Sequence, residues 1–304
     1  LAWSKYINEA LDLWGAQTDV MFSTHHWPRF GRNDVHDFLT LQRDVYRWMH
    51  DQTMRLANLG WTPIEIAEEL ALPSCFSDQS HVQGSYGTVS HNVKSVYNRY
   101  LGWYDANPAN LQPHPPGESG ARYVEFMGGA DEVVRKARVA FDDGDYRWVA
   151  QVVNHVVFAD PTHAEARQLQ ADALEQLGYR AESGTWRNAY LQGAKELREG
   201  SPDCTAGRGR QIAHAMTAEQ LFDSIGVRLD AAALEPLDGL INFVFTDLNE
   251  RHVLGIGNCA IHHLPDRSAD DADATLTLSR ATLAEVLGAV VGFEAGVESG
   301  AIQV

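Results

Sequence analysis

Basic residues are scarce in this sequence. It contains 24 Lys and Arg against 41 Asp and Glu, which gives a formal net charge of −17 at pH 7. A surface with this charge repels phosphate backbones, which argues against nucleic acid as a partner. An anionic substrate would therefore need a locally positive site, built from a metal ion or from arginine side chains.

Cysteines are few, and long apolar runs are absent. The three cysteines, Cys75, Cys204 and Cys259, lie far apart and form no C-x-x-C pair. This excludes a zinc knuckle and a disulfide framework, and we predict that the three are buried thiols. No apolar run approaches the ~20 residues that a membrane-spanning helix needs, so we predict no membrane span.

Neither end of the sequence has the features expected of a natural chain terminus. Residue 1 is Leu, no basic-then-apolar leader follows it, and the last residues, Ala301–Val304, have the pattern of a strand that has only begun. We interpret both features as signs of a truncated chain. The localisation of the protein therefore stays unknown.

The first hundred residues predict alternating helices and short strands. Apolar residues at helical spacing predict a helix from Trp3 to Trp14, and a short apolar run, Asp19–Ser23, predicts one buried strand. We expect that strand to lead into a loop, Thr24–Pro28. After a second, long helix, Thr62 and Glu65 form a capping box that predicts the start of a third.

Two histidine pairs are candidate metal ligands. His25 and His26 follow the predicted strand, and imidazole is the commonest metal ligand, although such a pair is more often a surface or packing feature. A catalytic zinc needs about three protein ligands, and the sequence has no HxH, HxxxH or HExxH spacing. The site is therefore incomplete. His262 and His263 are expected on opposite faces of one strand, where they cannot share a metal.

His91 and Asn92 precede a predicted helix and allow two interpretations. They could donate hydrogen bonds to an anion at the N-terminus of that helix. Equally, the segment could serve only for capping, with Ser90 or Asn92 as the cap.

The middle of the chain predicts helical hairpins. Residues 105–120 are rich in Pro, Asn and Gly and are interpreted as a linker. Beyond them, helical patterns leading to Gly144 and Gly178 recur at the spacing of tetratricopeptide repeats, with Asp160 expected to cap the helix between them. Two hairpins are too few to cover the apolar residues between Val149 and Val157, so we predict that residues 121–200 form a homodimer.

The third region begins near Thr205. We expect strands at Leu240–Leu248, His252–Leu264 and Ala274–Leu278, followed by a helix at Arg280–Val291. This helix and sheet could form an ordinary core, or an apolar groove for an alkyl chain.

A series of ordered motifs resembles the alkyl sulfatases of the metallo-β-lactamase superfamily. The motifs are Met21–Pro28, Gln42–Asp44, His50–Thr53, Arg55–Asn58, Tyr86–Asn92, Arg99–Trp103, Asn107–Leu111, Tyr123–Gly129, Gly144–Trp148 and Leu174–Tyr179. The resemblance extends over essentially the whole chain.

The resemblance implies an α+β protein of several domains. Residues 1–110 would be the C-terminal part of a metallo-β-lactamase αββα domain, and residues 111–200 an all-α, TPR-like dimerisation domain. Residues 205–304 would be a truncated domain similar to sterol carrier protein. A different interpretation of the same chain is a non-catalytic dimerising scaffold with a lipid-binding module.

The resemblance also implies a reaction and its site. Family members hydrolyse alkyl sulfate esters to alcohol and sulfate with two zinc ions, most of whose ligands would precede this chain. His25 is the expected zinc ligand that remains, with His26 as its neighbour. Tyr86, His91 and Asn92 are expected to line the sulfate-ester pocket. The sequence has Ser85 where a second Tyr is common in the family, which bears on the shape of the pocket.

Overall fold

A computed structural model describes residues 1–202 and 208–304, which divide into two compact units, Leu1–Ser201 and Pro202–Val304. No described helix is long and apolar enough to cross a membrane. The prediction of buried thiols is wrong for Cys75 and Cys259, which are both exposed. The third cysteine, Cys204, and the expected start of the third region at Thr205 lie outside the described residues.

The first unit is mainly helical. Its helices and strands are α1 (Ala2–Trp14), β1 (Val20–Ser23), β2 (His26–Phe30), α2 (Arg32–Ala57), α3 (Pro63–Glu69), α4 (Ser74–Ser77), α5 (Val89–Leu101), α6 (Pro116–Phe126), α7 (Ala130–Asp142), α8 (Tyr146–Ala159), α9 (Ala164–Tyr179) and α10 (Gly184–Glu199). Two short 3₁₀ turns lie at Ser80–Val82 and Pro108–Asn110. The linker prediction is wrong at its end, because α6 already begins at Pro116.

Strands β1 and β2 form an exposed antiparallel hairpin. The predicted loop Thr24–Pro28 is largely strand, since Ser23 pairs with His26 and only two residues form the turn. The prediction that the first strand is buried is also wrong, because Phe22 is 80% and Trp27 84% exposed. A two-stranded ribbon offers no neighbouring strands to cover its side chains, so apolar residues alone do not bury it.

Helix caps agree with the sequence at α3 and differ at α5. The Glu65 N–H donates to Thr62 Oγ1 at 3.4 Å, and the Thr62 N–H donates to the Glu65 carboxylate at 2.8 Å, which confirms the capping box. At α5, Thr88 is the cap and accepts from the His91 N–H at 3.1 Å. The prediction of Ser90 or Asn92 as the cap is wrong, since both lie inside the helix.

The helical region consists of the hairpins α7–α8 and α9–α10, with α6 packed against α8. The two glycines of the repeat differ in role. Gly144 lies in a turn with φ of 83°, whereas Gly178 lies inside α9, where a Cβ would stand 2.8 Å from the Leu191 side chain. The N-cap of α9 is His163, whose Nδ1 accepts from the Ala166 N–H at 3.2 Å. Asp160 is the C-cap of α8, the helix between the two glycines, as predicted.

The valines of α8 form an internal core. Val149, Val152, Val153 and Val156 are each at most 8% exposed and pack on α7 and α9 within one chain. The prediction that these valines exceed what two hairpins can cover is therefore wrong. The exposed apolar rings on α6 and α8 are others, namely Tyr123, Phe126, Trp148 and Phe158.

The second unit combines a mixed sheet with helices. Its elements are α11 (Arg208–Ala215), α12 (Ala218–Gly226), α13 (Ala231–Leu234), β3 (Gly239–Phe245), β4 (Glu250–Gly257), β5 (Ala260–Pro265), β6 (Ala274–Leu278), α14 (Arg280–Leu287), α15 (Phe293–Glu298) and β7 (Ile302–Gln303). The sheet order is β5-β4-β3-β6-β7, and β3 and β6 are its parallel pair.

Two expectations for this unit change in the structure. The strand expected at His252–Leu264 is two strands, because Asn258 and Cys259 adopt positive φ and form a tight turn. The space between α14 and the sheet is a filled core, in which Phe243, Phe245 and Leu283 are each at most 6% exposed. Of the two alternatives predicted for this region, an ordinary core and an apolar groove for an alkyl chain, this packing corresponds to the ordinary core. The helix also ends earlier than expected, at Leu287.

Candidate functional site

The first unit contains a cavity of about 490 Å³. Its walls come from α1, the β1–β2 hairpin, α2, the segment 80–89 and the start of α5. The lining includes apolar residues, namely Ile7, Met21, Leu39, Val45, Met49, Leu72, Val82 and Val89. It also includes polar residues, among them His25, His26, His81, Tyr86 and Asn92. The cavity can therefore contact both polar and apolar groups of a bound molecule.

His25 and His26 have different environments. His25 lies in the hairpin turn, is exposed, and has its ring 5.1 Å from the ring of Tyr86. His26 is half-buried in β2, with Nδ1 3.0 Å from the Trp27 carbonyl and its ring 5.3 Å from Phe38. Of the two, His25 is the one whose ring is free of protein hydrogen bonds in the described structure.

Tyr86 and Asn92 line the same cavity as His25. The Asn92 Nδ2 group makes one weak contact, 3.7 Å from the Met49 sulfur. Gly87 lies against this amide, and a Cβ there would stand 2.8 Å from Asn92 Oδ1. The missing side chain at Gly87 thus allows the loop and the first turn of α5 to approach closely.

His91 is placed differently from the other three predicted residues. It is absent from the cavity lining, and its ring packs on Trp186 of α10 with 4.6 Å between ring centroids. Burial, and then the charge of Lys94, hold the pKa of His91 below its usual 6.5. The structure therefore brings His25, Tyr86 and Asn92 together and turns His91 towards the helical region.

His81 is a cavity residue that the sequence analysis missed. It lies in a 3₁₀ turn and stacks on Phe38 at 4.6 Å, and its carbonyl accepts from Gln42 Nε2 at 2.7 Å. Burial lowers the pKa of His81, with further contributions from the charges of Arg29 and His26, so the ring is neutral at pH 7. An irregular segment has no periodicity, and no sequence signal marked this residue.

The described residues do not make up a complete metal site. Within residues 1–202 and 208–304, no three His, Cys, Asp or Glu side chains lie together as metal ligands. The second histidine pair lies on β5 as expected: His262 is exposed, and His263 packs on Phe222 with ring centroids 5.4 Å apart. A zinc ion held by His25 would need ligands from outside the described residues.

Comparison with known proteins matches two stretches of the chain to family models. Residues 62–200 match the family described as alkyl sulfatase dimerisation, and residues 207–304 match the family described as alkyl sulfatase C-terminal. Among curated proteins, the chain is 48% identical over 292 residues to a linear primary-alkylsulfatase of a Pseudomonas species. It is 49% identical over 285 residues to the alkyl/aryl-sulfatase BDS1 of Saccharomyces cerevisiae.

A solved structure agrees with these matches. The stereoselective inverting sec-alkylsulfatase Pisa1 from a Pseudomonas species superposes with a TM-score of 0.93 at 41% identity, over 99% of this chain and 48% of that chain. The two curated relatives are matched over 94% of this chain and over 43% and 44% of their own lengths. The chain thus spans less than half the length of the relatives it matches.

Proposed function

The chain belongs to the alkyl sulfatase family, and on this premise we propose that it forms part of an enzyme that hydrolyses alkyl sulfate esters to alcohol and sulfate. The observation that carries the proposal is the cavity lined by both polar and apolar side chains. An alkyl sulfate combines a charged head with an apolar tail, so it would use both kinds of side chain.

The side chains of this cavity suit the two ends of such a substrate. The Tyr86 hydroxyl and the Asn92 amide are hydrogen-bond donors that could bind ester oxygens. The apolar side chains of the lining, among them Met49 and Leu39, would remove the alkyl tail from water. Each methylene buried there contributes about 0.8 kcal/mol. In this assignment His91 acts from outside the cavity, by packing on Trp186.

We propose zinc as the cofactor and His25 as one of its ligands. His25 is exposed at the cavity and its ring lacks a competing hydrogen bond in the described structure. A catalytic zinc takes about three protein ligands. Since the described residues hold no such group, they do not fit a complete zinc site, and we derive no reaction step through the metal.

The domain organisation is proposed on the same premise. Residues 1–110 would be the C-terminal part of a metallo-β-lactamase domain, residues 111–200 the TPR-like dimerisation domain, and residues 205–304 the domain similar to sterol carrier protein. The helical hairpins of α7–α10 and the mixed sheet of the second unit are compatible with the last two assignments. The alternative of a non-catalytic scaffold has no support from the three relatives named above, each of which is named as a sulfatase.

The test of the function is sulfate release by the full-length protein from linear alkyl sulfates of increasing length. We expect turnover, with kcat/KM rising about fourfold for each methylene that the cavity buries, because each buried methylene contributes about 0.8 kcal/mol. Primary and secondary esters from butyl to dodecyl should be compared. The absence of sulfate release from all of them would contradict the proposal.

We also expect a homodimer formed through the helical region, since residues 62–200 match a dimerisation family. Phe126 on α6 is 91% exposed, and the ring of the neighbouring Tyr123 packs on His155 of α8. Light scattering should give a dimeric mass at micromolar concentration, and Phe126→Glu should shift it towards the monomer. Val139→Glu, which adds the same charge at an exposed position of α7, is the control. A monomeric wild type would refute the dimer.

A further inference from the structure

The junction between α9 and α10, residues 182–186, contacts the cavity loop, residues 84–87. The Gly184 N–H donates to the Ser85 carbonyl at 3.0 Å. The neighbouring Thr185 hydroxyl donates to the Tyr86 carbonyl, 99 residues away in sequence. Two consecutive carbonyls of the loop are therefore bound by two consecutive residues of the helical region.

These contacts are the main backbone restraint on the cavity loop. Among the described residues, the Gly184–Ser85 bond is the one backbone–backbone hydrogen bond that involves residues 83–87. The loop has no regular structure of its own, since it lies between a 3₁₀ turn and α5. A segment with so few internal bonds depends on its neighbours for its conformation.

The Thr185 hydroxyl is itself oriented by its neighbour. Ser183 Oγ lies 3.3 Å from Thr185 Oγ1, and a hydroxyl has only one hydrogen to donate. Because Thr185 uses this hydrogen for the Tyr86 carbonyl, Ser183 must donate to Thr185. Ser183 is 1% exposed and also caps α10 by accepting from the Trp186 N–H at 3.3 Å. The hydroxyl groups of Ser183 and Thr185 are thus held in place at the N-terminus of α10.

The junction also contacts the residues on either side of Tyr86. Glu182 lines the cavity, and a Cβ on Gly84 would stand 2.5 Å from Glu182 Oε1. Trp186 packs on His91 in the first turn of α5. Residues on both sides of Tyr86, namely Gly84 and His91, are therefore contacted by the same short segment of the helical region.

We propose that Thr185 is a positioning residue of the substrate site: its hydroxyl holds the Tyr86 backbone so that the Tyr86 ring lies beside His25. This inference rests on the proposed sulfatase function for its effect on catalysis. Its structural part, the ordering of the loop by Thr185, does not depend on that function.

The first arm of the test is kinetic and uses the full-length protein. Thr185→Val keeps the shape of the side chain and removes the donor, so we expect KM for an alkyl sulfate to rise about five- to tenfold with kcat nearly unchanged. Loss of folded protein would instead lower kcat at constant KM. Thr185→Ser restores the hydroxyl and should return KM to within about twofold of the wild type. Thr162→Val removes a similar hydroxyl bond, to Asp160 in another turn, and is the control.

The second arm measures amide hydrogen exchange and needs no activity. Exchange across residues 84–92 should be faster in Thr185→Val and unchanged in Thr185→Ser and Thr162→Val. Equal exchange in the wild type and in Thr185→Val would overturn the proposal, and so would a Ser variant as impaired as the Val variant. If the full-length protein released no sulfate, the exchange arm alone would decide, so this failure is distinct from failure of the proposed function.

Discussion

The isolated 304-residue chain is expected to release no sulfate from dodecyl sulfate and to hold less than one tightly bound zinc per chain. The reason is the ligand count: the structure of residues 1–202 and 208–304 has no cluster of three metal-binding side chains. With His25 as a single ligand, zinc lacks most of the donors that a catalytic site provides.

Elemental analysis after dialysis, together with a sulfate-release assay, checks this result. The full-length protein, purified with the same metal supply, is the control and should retain zinc. Stoichiometric zinc in the isolated chain, or measurable turnover by it, would show that the described residues form a metal site that their spacing does not predict.

In the full-length protein, His25→Ala is expected to lower kcat/KM more than about 100-fold and to reduce the zinc content. Removing a direct ligand disrupts the metal site, whereas loss of a supporting residue typically costs about 10–100-fold. His26→Ala should therefore be the milder change. His26 is half-buried beside Phe38, with its Nδ1 at the Trp27 carbonyl, which fits a supporting role.

His262→Ala is a matched control, because it removes an exposed histidine of the second unit. It should leave zinc content and activity unchanged. The assignment is wrong if His25→Ala and His26→Ala have equal effects, or if His26→Ala has the larger one. Zinc content and kcat/KM should be measured on the same preparations, so that metal loss and rate loss can be compared directly.

Features that depend on neighbouring residues could be read from the sequence. The helix ending at Trp14 and the capping box of Thr62 and Glu65 occur as predicted, since periodicity and caps act within a few residues. Successive side chains of a strand point to opposite faces, and this local rule places His262 and His263 on different faces of β5. The family resemblance was also read from the order of local motifs, and the comparisons confirm it.

Local patterns were insufficient where burial depends on what covers a segment. The run Val20–Ser23 is as apolar as a core strand and is nevertheless exposed in a two-stranded hairpin. The valines of α8 have the reverse outcome, because α7 and α9 cover them within one chain. Composition describes the side chains of a segment, but the packing of other elements decides which of them meet water.

The sequence by itself determined several of the helices, the capping box of α3, the family and the candidate residues His25, Tyr86 and Asn92. Only the tertiary structure decided which of those residues share a cavity: His25, Tyr86 and Asn92 do, whereas His91 packs on Trp186. The contact of Thr185 with Tyr86 joins residues 99 positions apart, and such pairs leave no local pattern. Their proximity results from the packing of whole helices, which depends on the apolar surfaces that all of these elements bury together.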